Sequence, residues 1–165
     1  MLALNILILI ASFALMELVA WATHKYVMHG FLWTLHRDHH RKEDYGFLER
    51  NDAFFLIFAI PGMLLIFSGY ANGWMDPRLW AGLGITLYGF TYLLLHDIFV
   101  HQRFKVLTRT ENVYLMALRK AHKIHHKHLG KEDGECFGLL WVPRQYLREA
   151  KETKLKRQNA NLSAR

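Results

Sequence analysis

The chain has 165 residues, 52% of them hydrophobic, with 21 Lys+Arg against 14 Asp+Glu and a formal net charge of +7. That length suits one domain, and a chain both apolar and basic must segregate the two kinds of residue, which argues against an ordinary soluble domain. A single cysteine, Cys136, excludes an intramolecular disulfide framework and a CxxC metal site and suits an unpaired thiol in a reducing compartment.

Residues 1–22 are the first apolar run, and about 20 such residues cross a bilayer core. A signal peptide fits poorly despite the small residues Ala20 and Ala22. No positive charge precedes the run, and it exceeds the usual apolar core of about 7–15 residues. Glu17 lies inside this run, where an ionisable group is costly and marks a functional candidate. It precedes His24 by seven residues, so nearly the same helix face points toward the residues that follow.

Past this run comes His24-Lys-Tyr-Val-Met-His29, then His36-Arg-Asp-His39-His40. Residues 53–71 and 79–95 are the second and third predicted spans, joined by a polar turn at 72–78. The two histidine patterns then recur in the same order: His96-Asp-Ile-Phe-Val-His101 and His122-Lys-Ile-His125-His126. Residues 113–118 read as a fourth, partly inserted amphipathic segment. Residues 147–165 read as a solvated helix fraying into a basic tail, which beside a membrane suits anionic lipid headgroups better than nucleic acid.

If the four blocks form one site, an even number of spans must separate the second from the third, and two do. Residues 23–52 hold five Lys/Arg, residues 96–165 hold fifteen and the turn at 72–78 holds one. The positive-inside rule therefore puts both histidine regions, 23–52 and 96–165, in the cytoplasm and the amino terminus outside. The expected architecture is an all-α integral membrane bundle of about three spans, with a cytoplasmic helical cap holding a di-metal site.

Ten of the eleven histidines fall in the four blocks. That is too many for one tetrahedral ion and suits two metal ions with several imidazoles each. His128 lies outside the patterns and reads as a bystander. In HxxHH, positions i, i+3 and i+4 share one helical face within about 100° of arc. HxxxxH is less comfortable, because i and i+5 stand about 140° apart on an α-helix. Either a π-bulge brings them together or the two histidines serve different metals. Asp38 and Asp97, next to ligand candidates, are expected to accept from imidazole N–H groups, with Glu17 a third such candidate. Tyr26, Met28, Phe31, Trp33, Tyr92 and Phe99 alternate with the histidines and are candidates to line a substrate groove. Without soft sulfur ligands copper(I) and iron–sulfur chemistry are disfavoured, and spacing leaves zinc, copper, iron and nickel open.

The chain resembles the fatty acid hydroxylase superfamily of histidine-rich membrane di-iron enzymes and, within it, is most similar to the bacterial β-carotene hydroxylases. The histidine blocks carry the first likeness. The second rests on Met16-Glu-Leu-Val-Ala20, His24-Lys-Tyr-Val-Met-His29-Gly30, Asn51-Asp52, Tyr88-Gly89, His96-Asp97, Val100-His101-Gln102-Arg103, Gly130-Lys-Glu132 and Phe137-Gly138. The resemblance implies a monooxygenase placing a hydroxyl on carbon 3 of β-ionone rings, with two iron ions held by the ten block histidines and dioxygen as co-substrate. It also implies a carotenoid drawn from the bilayer of a bacterial inner membrane and electrons from a reduced ferredoxin or similar donor. A fatty acyl or sterol hydroxylase, a carotenoid ketolase and a non-enzymatic membrane metal binder are the alternatives.

Overall fold

Helix α1, Leu2–Ala22, runs without interruption into a π-helical segment, Thr23–Phe31. In the computed structural model residues 1–41 and 48–163 are described. The predicted cytoplasmic stretch 23–52 crosses 42–47, which lie outside the described residues, as do the last two residues of the predicted tail. Helix α2 is Trp33–His40, and a 3-10 turn at Arg50–Asp52 leads into α3, Ala53–Ala71. Helix α4, Pro77–Tyr92, continues into a second π-helical segment, Leu93–Val100; α5 is Val113–His125 and α6 Arg144–Ser163. Among the described residues there is no strand.

Local chemistry sets the ends of these helices. Asp76 caps α4 by accepting from the Arg78 N–H at 2.9 Å, with Pro77 in the first turn where its missing N–H costs nothing. Asn112 caps α5 by accepting from Leu115 N–H at 3.1 Å.

Among the described residues three stretches are long and apolar enough to cross a membrane: Leu2–Phe31, Arg50–Ala71 and Pro77–Val100. Each extends the run read from sequence, because the first and third continue through their π-helical segments and the second begins with the 3-10 turn. In α1 only Asn5 and Met16 are buried, while Leu4, Leu7, Ile10, Leu15 and Leu18 face outward. A helix apolar all round and uncovered by protein suits lipid.

Helix α4 packs against both α1 and α3. Small residues allow it: a Cβ on Gly84 would stand 2.4 Å from the Leu9 carbonyl oxygen, and one on Gly82 2.7 Å from that of Gly62. Asn5 Nδ2 donates to the Met75 carbonyl at 2.9 Å. This bond ties the start of α1 to the α3–α4 turn, at the end of the bundle away from the histidines.

Helices α5 and α6 join through Ala117, Ala121, Tyr146 and Ala150, and α5 seats on the second π-helical segment through Phe99, Val100 and Leu118. The chain between α5 and α6 does not stay outside the bundle. Leu139 is buried with Met16 and Tyr88, and Leu140 packs beside them. Glu17 holds this segment: one carboxyl oxygen accepts from Leu140 N–H at 2.8 Å and Trp141 N–H at 2.9 Å, and the other from the Tyr88 hydroxyl at 2.7 Å. Irregular backbone at membrane depth persists only where protein satisfies its polar groups. The sequence reading ran 96–165 as one cytoplasmic stretch; residues 138–141 instead return to the level of Glu17. Helix α5, which contains the 113–118 segment, is 13 residues long, and its Tyr114 hydroxyl donates to the Leu140 carbonyl at 2.7 Å.

Candidate metal centre

The two HxxxxH pairs lie in the two π-helical segments. There the backbone bonds span five residues: Leu32 N–H to the Val27 carbonyl at 3.0 Å and His101 N–H to the His96 carbonyl at 2.9 Å. The wider turn brings i and i+5 to one side. Ring centroids of His24 and His29 are 5.2 Å apart, and those of His96 and His101 4.5 Å. Of the two arrangements open from the spacing, the backbone adopts the π-helical one. Helical geometry then breaks at Gly30, with φ −106° and ψ −121°, and α2 brings its histidines into contact with the first pair.

The histidines assemble into two adjoining groups. In the first, one nitrogen from each of His24, His29, His36, His40 and His125 lies within 4.8 Å of the others; in the second the same holds for His39, His96, His101 and His122. His126 stands at the edge of the second group, its Nε2 2.8 Å from His122 Nε2 and its ring stacked on His40 across the border at 4.6 Å. Each HxxHH trio shares a face, as read from sequence, but divides between the groups. Positions i and i+4 stay together while i+3 departs. His36 and His40 join the first group and His39 the second; His122 and His126 stand with the second and His125 joins the first.

The outer nitrogens decide what the inner ones can do. In the first group every Nδ1 meets an oxygen acceptor: His24 to Phe137 O (2.9 Å), His29 to Lys131 O (3.0 Å), His40 to His128 O (2.9 Å), His125 to Glu135 O (2.7 Å) and His36 to Asn51 Oδ1 (2.7 Å). In the second group His39 Nδ1 meets Glu49 Oε2 and His96 Nδ1 meets Asp97 Oδ1, both at 2.7 Å. A neutral imidazole carries one N–H. With Nδ1 donating outward, the first group turns five bare Nε2 lone pairs inward.

Inner nitrogens approach closely: His24 to His36 at 3.1 Å, His36 to His40 at 3.2 Å, His29 to His125 at 3.3 Å and His39 to His96 at 3.2 Å. Lone pairs at that separation repel unless a cation lies among them. Ligands held about 2.0–2.1 Å from one ion stand about 2.9–3.4 Å apart, so the donor set fits a metal in both number and spacing. Burial reinforces this. It pushes His36 and His125 down to about 3, His40 and His101 to about 4 and His126 to about 2, and holds His39 and His122 well below the usual range. All are neutral at pH 7, the form that ligates without first losing a proton.

The remaining candidates separate by contact. Asp97 accepts from His96 Nδ1. Asp38 does not: its carboxylate accepts from Arg50 N–H at 2.5 Å, pinning the 3-10 turn that presents Asn51. Glu17 holds the 138–141 segment and so fixes the loop carrying the Phe137 carbonyl. Tyr26 and Phe31 are 58% and 78% exposed and face away from the centre; Trp21 and Lys25 flank Tyr26. Phe99 is buried in packing with Leu118 and lies under the Arg119 guanidinium, 3.9 Å from its ring centroid. Met28 is buried in the first π-helical segment. Trp33 packs on His29 and His40, and Tyr92 stacks on His96 at 4.3 Å. His128 contributes its carbonyl. Sequence reasoning missed Glu49, Asn51 and the four loop carbonyls. Glu49-Arg-Asn-Asp52, a polar cluster abutting an apolar span and containing the Asn51-Asp52 pair that carries part of the resemblance, was an available signal.

The chain is similar to known proteins along most of its length. A family model described as "Fatty acid hydroxylase" matches residues 9–143. The chain is 37% identical over 140 residues to "Beta-carotene hydroxylase" of Paracoccus sp. (strain N81106 / MBIC 01143), covering 84% of this chain and 85% of that protein. It is 40% identical over 139 residues to "Beta-carotene hydroxylase" of Pantoea ananas, covering 84% and 78%. To "Beta-carotene 3-hydroxylase 2, chloroplastic" of Arabidopsis thaliana it is 36% identical over 132 residues, covering 79% of this chain and 43% of that longer protein. No solved structure matches.

Proposed function

The chain belongs to the fatty acid hydroxylase family, and from that premise we propose that it is a membrane carotenoid hydroxylase acting at carbon 3 of β-ionone rings, converting β-carotene through β-cryptoxanthin to zeaxanthin. One observation carries the reading: two adjoining groups of neutral, buried imidazoles lie at the ends of apolar helices, in a chain whose relatives along most of its length are named β-carotene hydroxylases. His24, His29, His36, His40 and His125 would hold one metal ion, and His39, His96, His101 and His122 the other, with His126 alongside. Two iron ions held there would supply the redox chemistry with dioxygen that an unreactive C–H bond demands.

The protein's own share is positional. Acceptors behind the imidazoles fix their tautomers and orientation. The loop 128–137 closes the first group with backbone carbonyls, which limits water. Electrons come from outside, since the chain has no flavin, haem or cluster motif; a reduced ferredoxin is the proposed donor, steered by the basic charge of the histidine face. The Lys/Arg bias supports a cytoplasmic centre and an outside amino terminus in a bacterial inner membrane.

The test is expression in a bacterial host accumulating β-carotene, with iron supplied, followed by chromatography of the pigments. Appearance of β-cryptoxanthin and zeaxanthin is the expected result. Absence of hydroxylated product with the protein present in membranes refutes the proposal, and 4-oxo products would make the chain a ketolase.

A further inference from the structure

The two groups are not equivalent. In the first, five nitrogens converge and each imidazole is backed by a carbonyl or amide oxygen. In the second, four converge with His126 at their edge, its Nε2 2.8 Å from that of His122, and a recess opens against His96 and His122. The recess walls include Val100, Leu118, Ala121, Leu139 and Val142, with Trp141 at the rim. Apart from the two histidines and Cys136, the side chains that line it are apolar.

The position of the rim tells what the recess faces. Trp141 is 80% exposed, and its backbone N–H is bonded to Glu17, inside the first span. Glu17 precedes His24 by seven residues, about 10 Å along a helix. Leu139 and Leu140 pack with Met16 and Tyr88 and against Phe13 and Ile85, all within spans. The rim therefore lies on the membrane side of the histidines, and the exposed Trp141 side chain faces lipid or its boundary. Trapped space is small, about 10 Å³, room for about one water. A ring enters only when the 138–142 segment shifts outward.

Resting on the hydroxylase reading, we propose that this recess, between the 138–142 segment and the second π-helical segment with α5, is the lateral door through which the apolar ring end of the substrate passes from the bilayer to the second histidine group. Val142 sets its width. The group with four converging imidazoles is the one that keeps a position free for chemistry, as catalytic metal sites do. The first group, backed by carbonyls of the 128–137 loop, would hold its ion without contact with substrate.

Cys136, the chain's single cysteine, also lines the recess and gives a readout independent of turnover. The full chain in lipid nanodiscs is treated with N-ethylmaleimide, with and without β-carotene. Alkaline buffer is used because burial pushes this thiol up to about 11. β-Carotene is expected to slow modification several-fold. Val142→Trp is expected to abolish that protection and to lower hydroxylation at least about ten-fold at unchanged metal content. Val142→Ala, which adds no bulk, is expected to speed labelling. Phe67→Trp, which places a tryptophan on the exposed face of α3 instead, is the control and leaves all three readouts as in the wild type. A labelling rate indifferent to β-carotene, or full hydroxylation by Val142→Trp, overturns the door. A wild-type chain that is protected by β-carotene but forms no hydroxylated product overturns the hydroxylase reading instead.

Discussion

Replacing Glu17 separates two roles for an ionisable group in a span. Its carboxyl group accepts from the N–H of Leu140 and Trp141 and from the Tyr88 hydroxyl. Glu17→Ala leaves two backbone donors without partners at membrane depth. Each unsatisfied buried donor costs about 1–3 kcal/mol, so the 138–141 segment loses about 2–6 kcal/mol of local stability. Glu17→Gln keeps the geometry: its amide oxygen accepts from both N–H groups, and its NH₂ donates to the Tyr88 oxygen. Hydrogen exchange in detergent or nanodiscs reads this directly. The Leu140 and Trp141 amides should lose protection by at least about 30-fold in Glu17→Ala and stay near wild type in Glu17→Gln. Metal content should fall only in step with the loop, through the Phe137 carbonyl that orients His24. If Glu17→Gln loses metal while the two amides remain protected, the carboxylate acts on the centre itself and the reasoning fails.

Other expectations follow from the division of the histidines. His125→Ala and His39→Ala should each lower bound metal from about two ions per chain to about one, from opposite groups, by elemental analysis of purified protein. Hydroxylation should be lost in both. Asn51→Ala, behind His36, and Glu49→Gln, behind His39, should weaken metal affinity about 10–100-fold in chelator competition without unfolding the chain. Metal-free protein should be acid-labile. His101 sits near 4 in the fold against about 6.5 unfolded, so the unfolded chain takes up protons first as pH falls below 6.5. The loss reaches about 2 kcal/mol from that group at pH 5 and continues until the folded form is protonated near pH 4. Thermal melting of the apo chain between pH 7 and 5 checks this; a flat profile contradicts it.

Sequence made the ligands visible because imidazole is scarce and chemically distinctive, and ten of eleven in repeated blocks are hard to place otherwise. It made the spans visible because lipid-facing helices need no amphipathic pattern. It left the π-helical segments as one of two alternatives, since i and i+5 spacing specifies no backbone repeat. Much of what orients the ligands was hidden for a different reason. Four of the acceptors in the first group are backbone carbonyls of residues 128–137, and a carbonyl leaves no mark in a sequence. Glu17 was expected to serve the metal from its charge inside an apolar span and its helical phase with His24. Its partners are Tyr88 and a loop far along the chain, and phase on one helix carries no information about what another segment brings. Tyr26 and Phe31 show the same limit from the other side: adjacency to a ligand in a π-helical turn does not place a side chain in the site.

The repetition of the two patterns acquires a physical meaning once the groups are compared. The first takes the pair His24 and His29, then His36 and His40 at i and i+4 of the nearer trio, then His125 at i+3 of the distant one. The second takes His96 and His101, then His122 and His126, then His39. Each half of the chain thus lends its i+3 histidine to the other half's group. Neither half can complete a group alone, so metal binding couples α2 to α5 across the bundle, and binding free energy becomes folding free energy for the whole assembly. The exchange is symmetric in ligands but not in surroundings. Among the described residues, the carboxylates that meet imidazoles, Glu49 and Asp97, stand behind the second group, and a carboxylate partner makes an imidazole a stronger donor than a carbonyl does. The recess against His96 and His122 adjoins that same group. The more electron-rich group, with His126 at its edge and the recess beside it, is the one the proposal assigns to the reaction, and the group backed by the 128–137 carbonyls is the one it assigns to holding an ion.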